Sequence, residues 1–356
     1  LDDTVTNPVS SYTSAGQLKR EQEILFRKYG LLMGLSCQLA KPGDYLTDDF
    51  SGVPILVVRA DDGGIRAFMN VCPHRGAKVA DGSGCSGGAF TCPYHNWTFD
   101  HDGKLVGVPD RGSFEGMDLA EYGLRELPAV EKYGLIWVRP SPGGVLDVDA
   151  QLEGLAPELE SYGFQNYHHY ETRIFEHKMN WKVVLDTFLE PYHFAPLHAM
   201  TVGPILFPNL CLFHPYGKNL REVLPRRTIV QLRDQPEADW DLVKHTAIVY
   251  ILFPNTVLVL QGDHVEIWRV YPRRDRADEC VMSLELYTPE PATTDSARGH
   301  WDRNMDLVVR TVVGEDFPVS EDIQAGLGSG ALEEFIYGRN EPAIAHYQKS
   351  VAAALE

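Results

Sequence analysis

The stretch Val71-Cys72-Pro73-His74-Arg75-Gly76-Ala77, followed after a Gly/Ser-rich excursion by Thr91-Cys92-Pro93-Tyr94-His95-Asn96-Trp97, decides how the chain is read. Each segment offers one thiolate and one imidazole, and each is stiffened by a proline directly after its cysteine. The first is Cys-x-His, the second Cys-x-x-His, and seventeen residues separate His74 from Cys92. A [2Fe–2S] centre takes this set when two cysteines hold one iron and two histidines the other. Replacing two thiolates by neutral imidazoles makes such a cluster less negative and raises its potential. A structural zinc ion also accepts Cys2His2. Zinc fingers, however, usually pair Cys with Cys and His with His, whereas each segment here contributes one of each.

These segments resemble those of the Rieske non-haem iron oxygenases, the terminal components of ring-hydroxylating and demethylating systems. Cys72, His74, Cys92 and His95 match that family's cluster positions one for one. The family usually follows the second histidine with Gly-Trp, and this chain has Asn96-Trp97. Asn is among the few non-glycine residues that tolerate a left-handed backbone, so the swap is conservative at a turn.

Outward from the motif the pattern is β-like. Residues 53–58 and 65–71 flank Asp61-Asp62-Gly63-Gly64, a hairpin signal, and 135–138 read as the last strand before the boundary Pro140-Ser141-Pro142-Gly143-Gly144. Residues 38–145 are therefore expected to form a small all-β Rieske domain, with 1–37 and 146–356 forming a catalytic domain. Residues 17–29 read as a helix with Leu18, Ile24, Leu25 and Phe26 on its apolar face. Past the boundary, 169–176, 227–232, 246–253, 256–261, 265–271 and 281–287 read as strands, and 180–189, 293–313 and 343–355 as helices. Strands followed by long helices predict an α+β domain with helices on an antiparallel sheet. The resemblance implies the helix-grip (START-like) fold for it.

A second constellation runs from Asn180-Trp181-Lys182 to Glu190-Pro191-Tyr192-His193-Phe194-Ala195-Pro196-Leu197-His198. On an unbroken helix His193 and His198 would stand about 140° apart, too far to share an ion. Pro191 and Pro196 interrupt the helix near both and let the rings converge. Alone, the pair also reads as two unrelated polar residues at a helix end; after a Rieske motif and Asn-Trp-Lys it matches the family's mononuclear iron motif. Fe(II) oxygenases of this kind use two His, one carboxylate and open positions for dioxygen. Residue pattern alone leaves Asp316 and Asp322 open as the carboxylate, and either also reads as a solvated helix acid. The resemblance of Glu315-Asp316 and Gln324-Ala325-Gly326-Leu327 to the family's late signature implies Asp316. It further implies that Glu190, where the family more often has Asp, bridges a cluster histidine of one subunit to an iron-ligating histidine of its neighbour. Glu190 otherwise reads as an exposed acid on the last helical turn, and Asp186 as a supporting group or as surface.

The chain has 356 residues, enough for two domains, and a formal net charge of −18 that argues against nucleic acid or an anionic membrane as partner. Beyond the two ligands, Cys37, Cys85, Cys211 and Cys280 show no pairing pattern, which points to a reducing cytoplasm. The most apolar stretch, 247–260, is broken by Pro254-Asn255 and is too short to span a bilayer. No signal peptide is read, and the chain begins at Leu1, leaving room for residues before it. No nucleotide or flavin fingerprint is present.

The resemblance implies the terminal oxygenase (α) subunit of a multicomponent system. Electrons from NAD(P)H arrive through a reductase, with or without a ferredoxin. Dioxygen reacts at the iron, and a small hydrophobic or aromatic substrate is mono- or dioxygenated or oxidatively demethylated. The expected assembly is a homotrimer, with or without a β subunit. A rival, a Rieske electron carrier without oxygenase activity, accounts for the cluster but leaves the histidine pair and the late acids unused. Val202, Ile205, Leu206, Phe207, Leu210, Leu212 and Phe213, with the hairpin around Phe253 and Leu258, are expected either to line the substrate pocket or to pack as core.

Overall fold

The computed structural model describes residues 3–356. The chain divides into two compact units, one made of 26–151 and 156–167, the other of the chain up to Leu25, 152–155 and 168 onward.

The smaller unit is all β apart from short helical turns. Five strands lie in the order Glu126–Leu127, Ile65–Met69, Ile55–Arg59, Asp44–Asp48, Ser83–Cys85. The central hairpin pairs Ile55 with Met69 and Arg59 with Ile65, and Gly63, at φ 82°, closes its turn. Leu31–Leu35, five buried apolar residues read as no element in the sequence, pairs with Leu135–Val138, so this strand groups with the small unit. A third sheet, Phe90–Thr91, Thr98–Phe99 and Leu105–Gly107, brackets the second cluster segment. Cys72, Cys92 and Trp97 belong to the same buried cluster as Leu56, Val58, Phe68 and Phe99. The two Cys/His loops are thus anchored by apolar burial, about 25 cal/mol for each Å² removed from water.

The larger unit is built on a seven-stranded antiparallel sheet in the order His168–His177, Arg276–Thr288, Val265–Arg273, Thr256–Leu260, Thr246–Leu252, Asn219–Pro225, Leu212–Tyr216. Residues 227–232, expected as a strand, lie instead in a 3-10 helix, Arg227–Asp234, that starts as Ile229 N–H donates to the Arg226 carbonyl. On one side of Thr246–Leu252 lies Asn219–Pro225, and beyond it the edge strand Leu212–Tyr216, where Asn219 and Pro-containing ends hide the alternation.

Two helical segments bring chemistry to this sheet. Trp181–Thr187 is capped by Asn180, whose side chain accepts from Lys182 N–H at 2.9 Å. Trp181 Nε1 and Lys182 Nζ both donate to Glu21 of the helix Ala15–Lys28, tying the two helices together through a fully buried ion pair. The second is one continuous run: Asp295–Val308 α-helical, Val309–Asp316 π-helical, Phe317–Gly328 α-helical. Phe317 N–H reaches back five residues to the Val312 carbonyl, and Pro318, with no N–H to give, follows directly. Gln324 Oε1 accepts from Asn180 N–H at 2.8 Å, joining the two signature segments.

Candidate cluster and metal centres

In the smaller unit each cluster loop is a tight turn. Cys72 N–H donates to Ala77 and accepts at its carbonyl from Gly76 N–H; Cys92 N–H donates to Trp97 and its carbonyl accepts from Asn96 N–H. Asn96 has φ 58°, the left-handed backbone that Asn allows where the family carries Gly. The buried Asn70 side chain pins the chain after the first loop, accepting from Val79 N–H and Ala80 N–H and donating to the Ala80 carbonyl. The His74 ring lies on Trp97 with centroids 4.7 Å apart and planes within 6°, and 4.6 Å from the His95 ring.

This arrangement fits a cluster. Nδ1 of His74 is buried with no hydrogen-bond partner among the described residues, as a nitrogen reserved for a metal would be. Burial is the largest influence on the Cys72 thiol and raises its pKa; N–H groups of His74 and Arg75 donate to the sulfur and oppose the rise, while Cys92 adds to it. Desolvation, with His74 and Arg75, holds His95 below the usual histidine range, favouring the neutral ring that a ligand must be.

In the larger unit His193 opens, and His198 closes, a single turn of helix, Phe194–Leu197. Their Nε2 atoms stand 3.1 Å apart, and Asp316 Oδ1 is 3.4 Å from one and 3.1 Å from the other. Such separations suit ligands around one ion at bond lengths of about 2 Å. The opposite nitrogens are both held by acids. His193 Nδ1 donates to Glu190 at 2.5 Å, and His198 Nδ1 to Glu315 at 2.6 Å. Each acid fixes the tautomer that leaves Nε2 free to ligate. Glu190 also accepts from the His193 backbone N–H at 3.0 Å, and Thr201 Oγ1 donates to Glu315 at 2.6 Å. Burial works against a charged His198, yet Asp316 and Glu315 outweigh it and raise its pKa. Burial likewise raises Asp316, against the pull of His198.

Asp322, the other acid considered, is exposed and stays apart from this set. Asp186 is not surface: it accepts from Tyr12 Oη at 2.6 Å and Gln348 Nε2 at 2.7 Å, and burial pushes it up to about 7. Glu315 and Thr201 were missed; the adjacency of Glu315 to Asp316 was the available signal. Glu315 and Asp316, consecutive in the π-helical stretch, address opposite nitrogens of one histidine.

His193, His198 and Asp316 open onto a cavity of about 320 Å³. Val202, Ile205 and Leu206 line it, as expected, but Phe207, Leu210, Leu212 and Phe213 do not. From the strand hairpin Val249 and Val259 face it, whereas Leu258, one position off in a period of two, packs on the opposite face. The cavity is not wholly apolar, for Arg226, Gln261, Asp263, His264 and Glu266 also line it.

Cys-x-His and Cys-x-x-His loops on a β unit mark the Rieske class of iron–sulfur protein, and a His–His–Asp set facing a cavity narrows it to the non-haem iron oxygenases. Within that class the chain belongs to the family of ring-hydroxylating α subunits. Residues 164–356 match the ring hydroxylating alpha subunit (catalytic domain), and 31–128 the Rieske [2Fe-2S] domain. It is 35% identical over 195 residues to a carnitine monooxygenase oxygenase subunit of Acinetobacter baumannii, covering 54% of this chain and about half (52%) of that relative. It is 27% identical over 341 residues to chloroplastic choline monooxygenase of Beta vulgaris, covering 94% and 74%. Its fold matches the crystal structure of the quaternary ammonium Rieske monooxygenase CntA in complex with L-carnitine, with a TM-score of 0.85, 24% identity and coverage of 99% and 96%.

Proposed function

We propose that the chain is the terminal oxygenase component of a multicomponent system that oxidises a small quaternary ammonium compound with dioxygen and electrons from NAD(P)H, delivered by a reductase with or without a ferredoxin. The observation that carries this reading is the convergence of His193, His198 and Asp316 at the wall of an internal cavity. In this reading residues 38–145 carry the [2Fe–2S] cluster on Cys72, His74, Cys92 and His95, and the remainder carries Fe(II) on His193, His198 and Asp316. The iron supplies dioxygen chemistry and the cluster supplies single electrons. Glu190 and Glu315 keep both Nδ1 protons in place and both Nε2 atoms turned to the cavity.

Two features favour a quaternary ammonium substrate over the hydrophobic or aromatic one expected from sequence. The relatives named above act on such compounds. Phe188 and Phe194 line the cavity, and Phe194 packs on both histidines, with ring centroids 5.0 Å and 5.6 Å away. Ring faces beside the metal suit a greasy cation through cation–π attraction. An electron-carrier role would leave the His–His–Asp set without a task. The proposed assembly is a homotrimer in which Glu190 also accepts from His95 of a neighbouring copy. All six cysteines are free, which supports a reducing cytoplasm, and no helix among the described residues is long and apolar enough to cross a membrane.

The test is coupled turnover: iron-loaded protein, reductase and NADH with carnitine, γ-butyrobetaine, choline, biphenyl and naphthalene. Oxygen consumption matched by product from the quaternary compounds is expected; coupled product from the hydrocarbons alone would overturn the substrate assignment.

A further inference from the structure

The cavity runs along the helical segment from Asn304 to Asp316. The metal set lies at the Asp316 end. At the other end, separated by the apolar walls of Val249, Val259 and Leu307, lies a charged group. His264 there is flanked by both nearby acids, with Nδ1 2.7 Å from Asp263 and Nε2 3.2 Å from Glu266, and Asp263 also takes His300 at 3.0 Å. Burial opposes a charge on His264, but the two acids push its pKa up to about 9, so it is a cation at neutral pH and offsets one of them.

Arg226 is the second cation of the group: burial holds its pKa below the usual arginine range, outweighing Asp263 and Glu266, which favour its charge. Nε donates to the Thr246 carbonyl at 3.1 Å and Nη2 to Gln261 Oε1 at 2.5 Å. Gln261 in turn donates to Glu266 at 3.1 Å and so stands between that acid and the guanidinium. Of the five N–H donors of an arginine, those on Nη1 have no partner among the described residues, and Arg226 forms no ion pair. A half-buried cation lining a cavity with an unused fork of donors is costly until an anion meets it.

We infer that Arg226 is the specificity-determining residue that receives a carboxylate of the substrate, so the substrate is a zwitterion whose ammonium end lies toward His193 and His198. The inference rests on the quaternary ammonium reading above. A carboxylate held at Arg226 leaves the apolar walls to cover the methylenes between the two charges. It also directs the carbons beside the nitrogen at the metal set, since the molecule is held by the end that does not react.

Calorimetric titration of the iron-loaded protein with γ-butyrobetaine and with its methyl ester separates the two ideas, because both carry the cation and only one the anion. The acid should bind about ten- to a hundredfold more tightly than the ester. In Arg226→Met the two should bind equally, with ester affinity unchanged, and Arg226→Lys should keep part of the preference. The Rieske visible spectrum and near-UV circular dichroism check that each variant is folded. A preference that survives in Arg226→Met, or its absence in the parent, overturns the role of Arg226 while the cation reading stands. If neither compound binds the parent, the quaternary ammonium reading is overturned and this inference with it.

Discussion

Both imidazoles of the metal set are gripped by an acid on the nitrogen that faces away from the cavity, so the set depends on two layers of residues. Replacing His198 by Ala should lower iron from about three to about two atoms per chain and leave the Rieske spectrum intact. Loss of that spectrum in a folded variant would refute separate sites. Glu315→Ala should preserve the ligands but weaken iron binding about 10- to 100-fold, read by competition with a chelator, because His198 loses the partner that orients it. A different buried acid contributes to the pH dependence of stability. Glu222 accepts from the Cys211 thiol at 3.2 Å, and its other oxygen has no partner among the described residues; burial, with the charge of Glu190 adding, pushes its pKa up to about 8. The unfolded chain releases that proton above about pH 4.3. Between these values the folded state holds the extra proton, so stability falls as pH rises, by at most about 1.4 kcal/mol per pH unit. Glu222→Gln should flatten that slope, raising the urea midpoint at pH 8 and barely moving it at pH 4.

The Asn-Trp-Lys segment and the helix Ala15–Lys28 share one buried carboxylate, Glu21, with both members of its ion pair at 0% side-chain exposure. Glu21→Ala would strand the Lys182 ammonium and should cost about 3–5 kcal/mol in chemical denaturation; a loss below about 1 kcal/mol, the range of exposed pairs, would show that the lysine finds water instead. This clamp also explains part of what was legible in the sequence. The hairpin at Asp61–Gly64, the strands 246–252 and 256–260, and the start of the helix at Asn180 announce themselves through turn residues, apolar runs and a cap. The 3-10 helix Arg227–Asp234 did not, because Thr228, Ile229 and Val230 favour a strand. The π-helical turn was invisible for a related reason. Its composition is helical, and its register emerges from Pro318 and from the histidines it must meet.

Legibility follows sequence distance. Cys72, His74, Cys92, His95, His193 and His198 each sit in a short motif, whereas Glu315 meets His198 across 117 residues and Thr201 meets Glu315 across 114, and no pattern spans both. For the whole molecule, the proposed trimer makes a direct expectation. A Cys72→Ser chain and a His193→Ala chain should each be inactive, and verified mixed trimers of the two should regain part of the activity; if they regain none, each cluster serves the iron of its own chain. The order of the ligands along the polypeptide has one more consequence. Both cluster loops are complete once Trp97 has been synthesised, whereas His193 and His198 must wait for Asp316, and the sheet beneath them for Thr288 to pair with His168. At 5–20 residues per second the ribosome separates these moments by roughly ten to forty seconds. The nascent chain therefore offers a place for iron and sulfide well before it offers one for the lone iron, and the two metal deliveries are spaced in time by translation itself.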